Sequence, residues 1–85
     1  MDAHTHRIAQ AWGQEIASRR KLFGYSRAEL ANKLDVSREI VRQWEAGNHA
    51  PSARMQSMLI EELRIDGATI ARLIELLRPT GGEAA

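Results

Sequence analysis

The chain has 85 residues, enough for one domain with a modest core. It contains no cysteine, which excludes a disulfide framework and a thiolate metal site. A formal net charge of +1 excludes a general nucleic-acid coat, but not a DNA reader that keeps its basic groups on one face. No apolar run is long enough to span a bilayer. Residues 1–7 lack the apolar core of a signal peptide, so the expectation is a cytoplasmic protein.

A flexible start is expected over residues 1–6. The first helix is expected over about 7–22, because Ile8, Trp12 and Ile16 recur at four-residue spacing and Phe23 closes the stripe. Gly13 interrupts it at a cost of about 1 kcal/mol against alanine, which a close helix contact would explain. Gly24 stands where a helix C-terminus wants glycine. Arg19, Arg20 and Lys21 form a basic cluster just before it.

Ser26 with Glu29 is a capping box for a second helix, whose buried face is Leu30, Ala31 and Leu34. Ser37 caps a third helix that turns Val41 and Trp44 inward and ends at Gly47. Ser52 caps a fourth helix reaching about residue 64, with Met55, Met58, Leu59 and Leu63 as its stripe and Ile65 as the plug behind it. Asp66 caps a fifth helix expected over 67–78, stopped before Pro79. A disordered tail is expected over 79–85. The fold class is all-α, with a domain over 7–78 and a helix-turn-helix over 26–46.

This pattern resembles the Cro/repressor-type helix-turn-helix domain, the lambda-repressor-like or Xre family. The matching positions are Ile16, Arg20, Ser26, Glu29-Leu30-Ala31, Leu34, Val36-Ser37, Val41, Trp44-Glu45, Gly47 and Pro51. The resemblance implies a compact five-helix fold whose third helix enters the DNA major groove. It also implies a partly buried ion pair between Arg20 and Glu45, holding that helix in place. Two positions depart from the family pattern. Arg27 stands where glutamine is usual, and Asp35 stands at a turn where glycine is usual. Asp35 must therefore tolerate a left-handed backbone.

Arg38, Glu39, Arg42 and Gln43 lie on the side of helix three opposite Val41 and Trp44, and are the candidate base readers. Arginine can bind guanine O6 and N7, glutamine can bind adenine N6 and N7, and glutamate can accept from cytosine N4. Ile40 either touches a thymine methyl or packs against helix two. Arg27, Ser37, Asn48, His49, Ser52 and Arg54 are candidate phosphate contacts, with ordinary surface solvation as the alternative for each. His4 and His6 are too few ligands for a metal site. No catalytic constellation is present, and no cofactor or small-molecule ligand is expected.

The reading is a bacterial or phage-encoded transcriptional regulator that joins the nucleoid when bound to double-stranded DNA. A repressor acting as a homodimer on an inverted-repeat operator is expected. Its size resembles a phage Cro or immunity repressor, a restriction-modification controller or an antitoxin. Ile70, Leu73, Ile74, Leu76 and Leu77 form the expected dimer stripe on the fifth helix. With no room for a sensing or cleavage domain, control is expected through concentration or a protein partner such as a toxin or antirepressor. The alternative is a protein-interaction module that uses the same scaffold and its fifth helix to bind a partner protein.

Overall fold

The computed structural model describes residues 3–76. Within them the chain forms α1 (Ala3–Leu22), α2 (Arg27–Leu34), α3 (Arg38–Glu45), α4 (Ala53–Glu62) and α5 (Gly67–Glu75), with no strand. Short-range capping sets four of the helix starts. The Ser26 hydroxyl accepts from the Glu29 N–H at 3.0 Å, while the Glu29 carboxylate accepts from the Ser26 N–H at 2.7 Å. Ser37 accepts from the Ile40 N–H at 3.2 Å and Ser52 from the Met55 N–H at 3.3 Å. Asp66 accepts from the Thr69 N–H at 3.1 Å. Each bond satisfies a donor that the first helical turn would leave orphaned.

Four helices stop through one backbone device. Gly24, Asp35, Gly47 and Arg64 take positive φ, at 76°, 57°, 78° and 51°. In each case the following N–H reaches back into the last turn. The bonds run from Tyr25 to Arg20 O, Val36 to Ala31 O, Asn48 to Gln43 O and Ile65 to Ile60 O, all at 3.0–3.1 Å. The left-handed turn expected at Asp35 is there. The one at Arg64 carries no glycine or asparagine to mark it in the sequence.

Trp12 and Ile16 meet Leu30, Ala31, Leu34, Val41 and Trp44 on one side of the core, and Leu59, Leu63, Ile65 and Leu73 complete it. Helix α1 packs on α3 and α5, and α2 packs on α3 and α4. Ile65 plugs the α4–α5 corner, as expected from its place between the two helices.

Three expectations are corrected. Helix α1 begins at Ala3, so residues 3–6 continue the helix rather than forming a flexible start. They include neither glycine nor proline, and extending a nucleated helix costs little. Phe23 does not close the α1 stripe. It lies beyond the last helical residue and is exposed, stacked on Tyr25 with ring centroids 5.9 Å apart. Tyr25, after the turn, packs against the core in its place. On α5, Leu73 is buried in this chain's own core and has little surface left for a partner. Ile70 and Leu76 are half-buried against that core, and Ile74 is 55% exposed. Helix α5 docks on α1 with Leu73 inward, and the next residue turns away by about 100°. Leu77, the last part of the expected 67–78 helix and the tail over 79–85 lie outside the described residues.

Candidate nucleic-acid interface

Helix α3 is held from behind at two points. The first is Gly13 of α1, where a Cβ would stand 2.2 Å from the carbonyl oxygen of Trp44 and 3.1 Å from that of Glu45. Only a residue without a side chain lets the two backbones come this close. The second is an ion pair. Arg20 donates to Glu45 through Nε at 2.6 Å and Nη2 at 3.1 Å, and its Nη1 donates to the Tyr25 carbonyl at 2.9 Å. The Glu45 side chain is 3% exposed. Burial pushes its carboxyl up, but hydrogen bonds from Arg20 and Arg27 outweigh burial and leave it below the ordinary carboxylate range. The Glu45 hydrogen bond also holds the Arg20 guanidinium above its usual value.

With Val41 and Trp44 buried, α3 turns Arg38, Glu39, Ile40 and Arg42 outward, and leaves Gln43 half-buried. These side chains form a chain of hydrogen bonds. Arg42 donates to both Glu39 carboxylate oxygens, from Nε at 2.9 Å and Nη2 at 2.6 Å. Gln43 Nε2 donates to Glu39 Oε2 at 2.6 Å, and Asn48 Nδ2 donates to Gln43 Oε1 at 2.6 Å. The bonds from Arg42 and Gln43 pull the Glu39 carboxyl down to about 2. The Arg38 side chain has no such partner among the described residues.

Arg38, Glu39 and Arg42 share an open groove of about 730 Å³ with Arg20, Ser26, Arg27 and Ala28. Helices α2 and α3 thus converge their outward arginines on one cleft. Arg27 is also tied down: its Nε donates to Glu45 Oε1 at 2.9 Å, while the side chain stays 47% exposed. Among the described residues, the Asn48 side chain joins this assembly through Gln43. The Ser37 and Ser52 hydroxyls are committed as acceptors at helix starts, leaving their hydrogens free to donate. His49 and Arg54 are exposed and stand outside the groove. Ile40 is 42% exposed, so its packing on α2 is partial at most.

The basic cluster before the turn segment disperses in three dimensions. Arg20 belongs to Glu45. Arg19 turns to the α4–α5 corner, where it pairs with Asp66, donates to Glu15 at 3.0 Å and caps the Arg64 carbonyl at 2.9 Å. Hydrogen bonds from the Thr69 hydroxyl and N–H, then from Arg19, hold the Asp66 carboxyl far below its usual range. The Glu15–Arg19 pair was missed in the sequence, although its four-residue spacing is a signal that could have found it. The network's other partners lie more than 40 residues away and left no local signal. Among the described residues no group of His, Asp and Glu could hold a metal ion, and no helix is long and apolar enough to cross a membrane.

The helix-turn-helix family model matches residues 16–70, from the middle of α1 into α5. The chain is also similar to an uncharacterized HTH-type transcriptional regulator, YazB, of Bacillus subtilis strain 168. The two are 35% identical over 63 residues, covering 74% of this chain and 91% of the relative. The matched segment contains the capped α2–α3 pair, the Arg20–Glu45 bridge and the arginine groove. With five helices arranged as that architecture requires, the chain belongs to the helix-turn-helix family of lambda-repressor-like transcriptional regulators.

Proposed function

We propose that this protein is a sequence-specific, double-stranded DNA-binding repressor that acts as a homodimer on an inverted-repeat operator. The observation that carries the proposal is the orientation of α3. It is braced from behind by Gly13 and the Arg20–Glu45 bridge, and turns Arg38, Glu39, Ile40 and Arg42 outward with Gln43 half-buried beside them. A major groove accommodates one helix, and these side chains offer the donors and acceptors that distinguish base pairs there. Arg38 is the free base reader, because no partner holds its side chain among the described residues. The exposed part of Arg27, the serine hydroxyls at 37 and 52, and Asn48, His49 and Arg54 contact phosphates on either side. No step in this function needs catalysis.

Dimerisation uses α5. Ile74 is exposed beside an apolar hollow of about 250 Å³ lined by Trp12, Ile60, Ile70 and Leu73 among others. An exposed isoleucine beside a hollow favours burial against a second copy. The same hollow favours the second reading, in which α5 receives a different protein such as a toxin or antirepressor. Salt separates the two. Phosphate contacts release counterions, so DNA affinity falls steeply between about 50 and 200 mM salt, whereas apolar docking of a protein does not. Selection of bound duplexes from a random pool, followed by titration of the best duplex across that range, tests the proposal. A selected inverted repeat with a steep salt slope is the expected result. Absence of any duplex binding at low salt overturns it.

A further inference from the structure

The central member of the reader face is not an arginine but Glu39. An acidic residue on a surface that must approach a polyanion weakens binding to every sequence unless it does something in return. The geometry shows what it does. Glu39 sits four residues before Gln43 and three before Arg42 on the same helix, and both donate to it. Arg42 uses the Nε–Nη2 edge of its guanidinium on Glu39, in a bidentate fork. A guanidinium carries five N–H groups, so the Nη1–Nη2 end keeps three donors pointing away from the carboxylate. That end has the geometry to take guanine O6 and N7. Asn48 closes the chain at its far end by donating to the Gln43 carbonyl oxygen, which fixes which end of that amide is acceptor and which is donor.

We infer that Glu39 is the specificity-positioning residue of this face: it holds Arg42 and Gln43 in one reading geometry and penalises DNA that does not match it. The inference rests on the DNA-reading function proposed above. A long arginine loses rotamer freedom when it binds, and a side chain already held loses less. The carboxylate has a second effect. On an unmatched site Arg42 is left without its guanine and is drawn to a nearby phosphate, which requires leaving Glu39. The carboxylate then faces phosphates with only the neutral Gln43 amide donating to it and no positive charge beside it. On a matched site the Glu39–Arg42 fork stays intact and the charge remains compensated. Glu39 therefore lowers affinity for random DNA more than for the operator, and selectivity is the difference between the two.

The test uses the full chain, the best duplex selected for the wild type and a random duplex of equal length. Glu39→Gln keeps the size and one acceptor oxygen but removes the charge and the fork. Random-DNA affinity is expected to rise, and the ratio of selected to random affinity to fall by roughly tenfold or more. The lost preference should map to the same base position that Arg42→Ala loses. Adding Glu39→Gln to Arg42→Ala should then change that position no further. A merely structural role would lower the melting temperature and weaken both duplexes together without moving preference at one base. An unchanged ratio in Glu39→Gln overturns this inference alone. Failure of the wild type to bind any duplex overturns the DNA-reading function and this inference with it.

Discussion

Gly13 and Trp44 approach so closely that a Cβ on the glycine would stand 2.2 Å from the tryptophan's carbonyl oxygen. This contact fixes how far α3 stands from α1. Gly13→Ala would gain about 1 kcal/mol of helix propensity. It would also push against backbone rather than a flexible side-chain end, and overpacking of a fitted site costs about 1–3 kcal/mol. The expected outcome is net destabilisation with α3 displaced, read as a lower melting temperature and weaker DNA binding. A variant that melts as high as the wild type would show that the two helices can separate freely.

The two non-glycine left-handed residues make a paired prediction. Asp35 and Arg64 hold φ of 57° and 51°. Neither side chain makes a hydrogen bond or ion pair among the described residues, and it is the backbone carbonyl of Arg64 that Arg19 uses. Glycine at either position would relieve backbone strain without removing a contact. It would also loosen the unfolded chain, so the net gain should be a few tenths to about 1 kcal/mol each. Thermal or urea melts of Asp35→Gly, Arg64→Gly and the double variant check this. The two sites lie on separate helix ends, so their gains should add.

These two turns also show why one was foreseen and the other was not. Helix starts were legible because Ser26, Glu29, Ser37, Ser52 and Asp66 act on groups three residues away, within any short window of sequence. The turn at Asp35 was legible by resemblance to a pattern that places glycine there. Arg64 carries no such mark. Its carbonyl is held by Arg19, 45 residues earlier in the chain. The same distinction governs the site. The outward set on α3 follows from the burial of Val41 and Trp44, a matter of helical period. The capture of Arg27 by Glu45 and the dispersal of Arg19 and Arg20 depend on tertiary packing. So does the choice of Leu73 over Ile74 as the inward face of α5.

Glu45 should contribute to the acid sensitivity of the fold. It is buried, and it receives Arg20 and Arg27 together. Removing it strands a mostly buried Arg20, and breaking a buried pair costs about 3–5 kcal/mol. Glu45→Ala should therefore lower the melting temperature sharply at neutral pH. The folded-state carboxyl titrates below its unfolded value. Its contribution is thus present in full above the unfolded value of about 4.3, and is lost as pH falls through the lower folded value. Wild-type melting temperature should fall as pH drops below about 4. In Glu45→Gln, which cannot ionise, that fall should be shallower. Parallel pH profiles for the two proteins would show that Glu45 is not a source of the acid sensitivity.

Arg38 and Arg42 should differ in how they fail. Arg38 has no intramolecular partner among the described residues, so Arg38→Ala should remove the proposed base contact and leave none of their groups unsatisfied. Arg42→Ala also frees Glu39, leaving an uncompensated carboxylate toward the DNA. Each should cost about 1–3 kcal/mol on the preferred duplex. The Arg42 variant should also bind random DNA more weakly than the Arg38 variant does. Equilibrium titrations on both duplexes at one salt concentration distinguish the pair. Equal binding of both duplexes by both variants and the wild type would remove α3 as the reader.

The assembly prediction turns on two adjacent residues of α5. Leu73 is 5% exposed and Ile74 is 55% exposed, so one substitution should damage the fold and the other the assembly. Leu73→Ala empties a core position at a cost of about 2–5 kcal/mol, and should lower the melting temperature at every protein concentration. Ile74→Glu alters a surface position, so the folded monomer should survive it. If a second copy covers Ile74 and the hollow beside it, a carboxylate there would be buried without a partner, and the dimer should dissociate. On DNA a two-fold dimer places its reader helices about 34 Å apart, one turn of the duplex, so Ile74→Glu should also lose tight binding to an inverted repeat while keeping weak binding to one half-site. Sedimentation of the wild type and of Ile74→Glu at micromolar concentration reads the first effect, and titration of full and half operators reads the second. A wild type that sediments as a monomer and binds full operators no differently from Ile74→Glu would show that this face of α5 joins no second copy.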